Sequence, residues 1–182
     1  MTTALEVDTV APDWDADLHA LFRAKGIGVI GFVPDGGLKG LIERCQEDET
    51  LRTVTLTTEE EGVALAAGAF LGGRRAALLM QSSGVGNCIN MLSLPQICNM
   101  PLFILVTMRG EWGEFNPWQV PMGQGTPAAL EAVGVHVYRA ETPADVGPTA
   151  AAALELAFAS RRRVAVLLAQ RLIGAKDFGG TR

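Results

Sequence analysis

The chain has 182 residues, 48% of them hydrophobic and 19% charged, with a net charge of -5. That composition suits one domain with a full core and excludes a disordered chain, and the acidic balance lacks the basic footprint of a nucleic-acid binder. Residues 1–17 are acidic without the apolar core of a secretory signal, and no apolar run is long enough to span a bilayer.

In chain order, the first predicted element is a helix over 13–25, closed by Gly26 as the residue after its end. A strand follows over 28–33, then a helix over 38–46, a strand over 53–57 and a helix over 59–71. The alternation continues with strand 76–81, helix 85–99, strand 102–106, helix 126–133, strand 135–138, helix 145–160 and strand 164–168. Most strand segments are continuous apolar runs, such as Leu102-Phe103-Ile104-Leu105-Val106, as expected where both faces are buried. Strands separated by helices pair in parallel. The predicted fold is therefore α/β, a doubly wound, mainly parallel six-stranded sheet with helices on both faces. It forms a single domain over 1–182, with flexible ends expected at 1–12 and 175–182. Ligands of such sheets bind beyond the carboxyl ends of the strands, which directs attention to residues 34–37, 57–61, 81–87 and 107–125.

Cys45, Cys88 and Cys98 form no C-x-x-C pair, which predicts reduced thiols in a cytoplasmic protein. With only His19 and His136, no histidine-built metal site is expected. Gly26, Gly28 and Gly31 fit G-x-G-x-x-G, but a helix precedes them and a strand follows, the reverse of a dinucleotide loop. Arg161-Arg162-Arg163 reads as a solvated helix-to-strand turn.

Three segments hold the unusual residues. Glu59, Glu60 and Glu61 head a helix with no further charge until Arg74. Thr57 and Glu60 suit a capping box, yet a helix apolar all round is buried, and its first turn would then place a carboxylate at a ligand-binding corner. Gln81-Ser82-Ser83-Gly84-Val85-Gly86-Asn87 is either an anion-binding nest or a tight turn into a helix capped by Ser83. Residues 108–118 form a long loop with Arg109, Trp112, Phe115 and Trp118, suited to a ligand or to a subunit contact.

Together, Val33-Pro34-Asp35-Gly36-Gly37-Leu38, Glu59-Glu60-Glu61-Gly62 with Ala66-Ala67-Gly68-Ala69-Phe70, Ser83-Gly84-Val85-Gly86-Asn87, and Arg109-Gly110-Glu111 with Gln119 and Met122-Gly123 carry a resemblance. They resemble the pyrimidine domain of thiamine-diphosphate decarboxylases, within them the sulfopyruvate decarboxylase alpha subunits and the matching part of phosphonopyruvate decarboxylases. The resemblance runs from residue 28 to about 169. It implies thiamine diphosphate as cofactor, with one Glu holding N1′ of the aminopyrimidine. Setting Ala66-Ala67 and Phe70 against the family's Ala-Ala-x-Gly-Tyr puts that role on Glu60, with Glu59 next. Such a carboxyl group should be desolvated. Ser83, Gly84, Gly86 and Asn87 would line the cofactor. Pro34, Asp35 and Gln81 would shape the substrate pocket, and Arg109 would read an anionic head group.

The family's G-D-G motif, which holds the diphosphate and Mg²⁺, does not occur in this chain. The resemblance therefore implies a beta subunit that brings both, an active site between subunits, and homo-association of alpha chains. Neither His19 nor His136 matches the acid–base histidines of pyruvate decarboxylase-like members. The implied reaction is decarboxylation of a 2-oxo acid, first 3-sulfopyruvate and second phosphonopyruvate. The rival readings are a carboligase, a non-catalytic subunit and a flavodoxin-like binding module.

Overall fold

The computed structural model describes residues 13–174, so the predicted flexible ends lie outside it. Six strands occur where apolar runs predicted them: β1 (Ile27–Phe32), β2 (Arg52–Thr55), β3 (Arg75–Gln81), β4 (Leu102–Thr107), β5 (His136–Ala140) and β6 (Arg163–Leu168). All pair in parallel, in the order β2-β1-β3-β4-β6-β5.

Side chains alternate along each strand and build two cores. Leu79, Leu105 and Val166 face α1 (Trp14–Ala24), α2 (Lys39–Glu47) and α7 (Pro143–Ser160), which contribute Phe22, Leu41 and Leu154. Leu78, Met80, Ile104 and Leu167 face the other way, toward α3 (Glu59–Leu71), α4 (Ser82–Cys88) and α6 (Val120–Ala132), which contribute Val63, Val85 and Leu130. Every side chain of β4 and β6 is buried, the reason both read as uninterrupted apolar runs. Gly26 follows α1 at φ +69°, as its sequence position predicts. No helix of the described residues is long and apolar enough to cross a membrane.

Four local differences have physical causes. The predicted helix 85–99 is two helices, α4 and α5 (Ser93–Ile97), separated by a turn. Pro95 has no N–H to donate to Met91, so the helical ladder is interrupted ahead of it, and Pro95 falls in the first turn of α5, where a helix tolerates proline. Helix α4 begins at Ser82, with Gln81 rather than Ser83 as its N-cap residue, so 82–88 is neither a nest nor a loop. Helix α6 begins at Val120, six residues before its predicted start. Its glycines resemble a loop in sequence, but Gly123 lies so close to Arg109 that a Cβ there would meet the Arg109 carbonyl oxygen. At the head of α3 the N-cap is Thr58, and Glu61 rather than Glu60 accepts from the Thr57 N–H, at 2.8 Å.

Candidate active site

Strands β1 and β3 are neighbours whose following helices leave toward opposite faces of the sheet, so a crevice opens at their carboxyl ends. On the α3 side lies a cleft of about 760 Å³. Glu59 at the first turn of α3, Ser83, Gly84, Gly86 and Asn87 of α4, and Asn116, Pro117, Trp118, Pro121 and Met122 before and within α6 line it. Four cofactor-lining residues singled out from the sequence, Ser83, Gly84, Gly86 and Asn87, thus lie on one wall.

The carboxylate in that wall belongs to Glu59. It is 6% exposed, whereas Glu60 and Glu61 are exposed. Asn87 Nδ2 donates to Glu59 Oε2 at 2.8 Å. The side chain lies across Gly84, where an added Cβ would stand 2.3 Å from Oε1. Gly84 is therefore required by contact rather than by backbone conformation. At Gly62 an added Cβ would collide with Leu78, so this glycine lets α3 sit close to the sheet and carry Glu59 inward. The structure thus places the buried carboxylate on Glu59, the second candidate, and leaves Glu60, the first, exposed. The signal was present in the same motif: setting Gly68 against the family's glycine moves the frame by one residue and selects Glu59.

The substrate-lining candidates are dispersed. Pro34 and Asp35 line a separate cleft of about 440 Å³ that also includes Gly36, Lys39 and Thr55. Asp35 Oδ2 accepts from Thr107 Oγ1, which draws the segment after β1 to the end of β4. Gln81 ends β3, half-buried, and lines neither cleft.

Arg109 does not line the Glu59 cleft, and its charge is already met. Its Nε and Nη2 donate to Glu114 at 2.8 and 2.7 Å, a bidentate pair with side chains 10% and 3% exposed. Hydrogen bonding to Arg109 is the main cause that holds the Glu114 carboxyl down at about 2, helped by the N–H groups of Asn116 and Gly110 and by Gln170. Gln170, just after β6, donates to Glu114 and accepts from the N–H groups of Glu111 and Trp112. Glu111 in turn binds Arg139 of β5 through both oxygens. This network pins residues 109–116 and so fixes Asn116, Pro117 and Trp118 as a wall of the cleft. The sequence singled out Arg109 but not its partners, because only the folded loop brings Glu114 and Gln170 to it.

Burial raises the Cys88 thiol to about 12, reinforced by Glu59 and Glu60, so it is no nucleophile at neutral pH. Among the described residues no cluster of three or more metal-ligating side chains occurs.

The sheet order, its two helical layers and the cleft beyond the strand ends define a doubly wound α/β domain with its candidate site at a switch point of the sheet. Among solved structures, 2-oxoglutarate:ferredoxin oxidoreductase from Magnetococcus marinus matches 95% of this chain and 34% of its own, with a TM-score of 0.72. At 14% identity that likeness concerns the fold alone. No protein-family model matches the sequence. Sulfopyruvate decarboxylase subunit alpha of Methanococcus maripaludis is 37% identical over 154 residues, covering 82% of this chain and 92% of the relative. Phosphonopyruvate decarboxylase of Streptomyces viridochromogenes is 38% identical over 118 residues, 64% of this chain and 30% of the relative. The chain belongs to the family of sulfopyruvate decarboxylase alpha subunits.

Proposed function

We propose that this chain is the alpha subunit of a thiamine-diphosphate-dependent decarboxylase that converts 3-sulfopyruvate to sulfoacetaldehyde and carbon dioxide, active only with a beta subunit. The observation that supports it best is the seat of Glu59, a buried carboxylate at the head of a helix, held by Asn87 over a glycine floor. The cradle fits an aminopyrimidine. Gly84 leaves the space in which Glu59 lies, Met122 beside Gly86 and Pro121 offer apolar contact to a flat ring, and Glu59 supplies the carboxyl group that N1′ requires.

When bound, the cofactor supplies a carbon nucleophile and takes up the electrons released when carbon dioxide leaves. The work of this chain is positional. Glu59 holds a proton at the pyrimidine nitrogen, and Asn87 fixes the carboxyl plane. The wall of Asn116, Pro117 and Trp118 excludes water from one side.

The cleft has no cationic residue in its lining, and Arg109 is paired with Glu114. The diphosphate and the substrate's sulfonate therefore depend on cations that the beta subunit brings, the Mg²⁺ that it would hold among them. Trp118, 81% exposed at the rim, is the surface on which that subunit closes. The name subunit alpha on relatives that this chain spans nearly end to end supports a partner. The similarity to phosphonopyruvate decarboxylase supports that acid as the second substrate.

The test is to purify the tagged chain from its host in thiamine diphosphate and Mg²⁺, identify co-purifying chains, and measure carbon dioxide release from both acids. Release from sulfopyruvate with a G-D-G-bearing partner is expected. Release from phosphonopyruvate alone would transfer the assignment to that acid. A chain that purifies alone and stays inert with added cofactor would overturn the proposal.

A further inference from the structure

The amino-terminal ends of the strands, opposite the Glu59 cleft, hold a second concentration of charge. Arg74 and Arg75 stand at the start of β3, and Arg161, Arg162 and Arg163 join α7 to β6. The chain as a whole is acidic, at -5. Yet no ion pair among the described residues includes any of these five arginines. Arg74 Nη2 and Arg75 Nη1 each donate to a backbone carbonyl, of Gly28 and Lys25, at 2.8 Å. Those bonds orient the guanidinium groups without neutralising them. Arg75 Cζ lies 5.1 Å from the ring centroid of Phe158, and Arg161 Cζ lies 5.9 Å from that of Phe70. A cleft of about 240 Å³ is lined by Phe70, Arg74, Arg75, Pro101, Phe158 and Arg161. It is a cationic cleft with aromatic walls.

Two further observations single this place out. Arg161 closes α7 in the left-handed conformation, at φ 50° and ψ 50°, where a helix end favours glycine. A long side chain kept in that backbone state is a cost that the surroundings must require. Arg163, read from the sequence as part of a solvated turn, is instead 5% exposed, and its Nε has no hydrogen-bond partner. Its Nη1 donates to the Arg161 carbonyl at 3.3 Å. Arg163 does not itself line the cleft, but its buried charge adds to the positive field at this end of the sheet, and no ion pair among the described residues offsets it.

We propose that this cleft binds a compact tetrahedral oxyanion, a phosphate or a sulfonate group, between Arg75 and Arg161. The volume falls below the roughly 300 Å³ at which drug-sized ligand sites begin, which suits an ionic head group rather than a whole nucleotide. Guanidinium groups match such oxyanions by paired N–H donors. The site lies at the opposite ends of the strands from Glu59 and does not depend on the proposed decarboxylase reading.

The experiment is calorimetric titration of the full-length chain with inorganic phosphate and, separately, ethanesulfonate, at an ionic strength held constant with chloride. The informative variant is Arg161→Gly, because glycine suits φ 50° and leaves the fold intact. Its melting temperature in chloride should equal or exceed that of the parent chain. Phosphate affinity should fall about tenfold or more, the loss of a charged hydrogen-bonding group. Arg75→Gln should weaken binding similarly. Binding of phosphate but not ethanesulfonate would assign the site to phosphates, and binding of both to tetrahedral oxyanions from either source. No heat above the chloride baseline, or unchanged affinity in a folded Arg161→Gly chain, would overturn the proposal.

Discussion

Gly84→Ala is the smallest change that tests how the cleft holds its carboxylate. The added methyl group would stand 2.3 Å from Glu59 Oε1, 2.4 Å from its carboxyl carbon and 2.5 Å from Cγ. Helix α4 packs against α3 and α6, so the methyl cannot be relieved by moving one flexible tip. Glu59 must leave its seat and lose the 2.8 Å bond from Asn87. Losing that charge-assisted bond costs about 1.5–3 kcal/mol of placement, and misplacing a reacting group by an ångström costs about 10²-fold in rate. The reconstituted enzyme should therefore lose about 10²-fold in kcat, while the chain's far-ultraviolet dichroism persists and its unfolding free energy falls by about 1–3 kcal/mol, the ordinary range for overpacking. Gly86→Ala is the control. Its Cβ would meet Met122 Sδ at 3.2 Å, the end of a flexible side chain that can yield, so its loss in kcat should be much smaller. Turnover by Gly84→Ala equal to that of Gly86→Ala would refute the reasoning.

Three other outcomes follow from particular contacts. Glu114→Gln leaves Arg109 buried without a counter-charge and should lower unfolding free energy by about 3 kcal/mol in denaturant melts. Because Glu114 is held near 2, below its ordinary 4.5, the pair's contribution is full above about 4.5 and is lost as pH falls toward 2; the variant should lack that acid-side decline. In a thiol titration at neutral pH only Cys98, which is exposed, should react in the native chain, while Cys45 and Cys88, both raised to about 12 by burial, should react only after unfolding. Trp118→Ala should weaken association with the beta subunit by about 30-fold in sedimentation, as expected for a central aromatic anchor, and should leave the isolated chain's melting temperature unchanged.

The sheet was legible because its strands are buried on both faces and leave uninterrupted apolar runs, which periodicity detects directly. The elements that form the cleft were less so. Gly123 and Gly125 look like loop residues, but Gly123 lets α6 cross Arg109 closely, a tertiary demand that sequence pattern does not contain. Pro95 was visible, but its effect was to divide a helix rather than to end one. Glu59 and Glu60 are adjacent, and one residue turns a helix by about 100°, enough to separate a buried carboxylate from an exposed one. Arg109 was found, while its role was not, since Glu114 and Gln170 reach it only in the folded loop. Arg163 was hidden because a run of three arginines ordinarily belongs to solvent.

Whether Glu59 is the carboxylate that serves the cofactor is decided by parallel assay of Glu59→Gln and Glu60→Gln with the beta subunit. Carbon dioxide release from sulfopyruvate should fall about 10²–10⁴-fold in Glu59→Gln, the usual share of a proton-transferring group, and stay near the parent value in Glu60→Gln. Full turnover by Glu59→Gln, or a loss confined to Glu60→Gln, would remove Glu59 from that role.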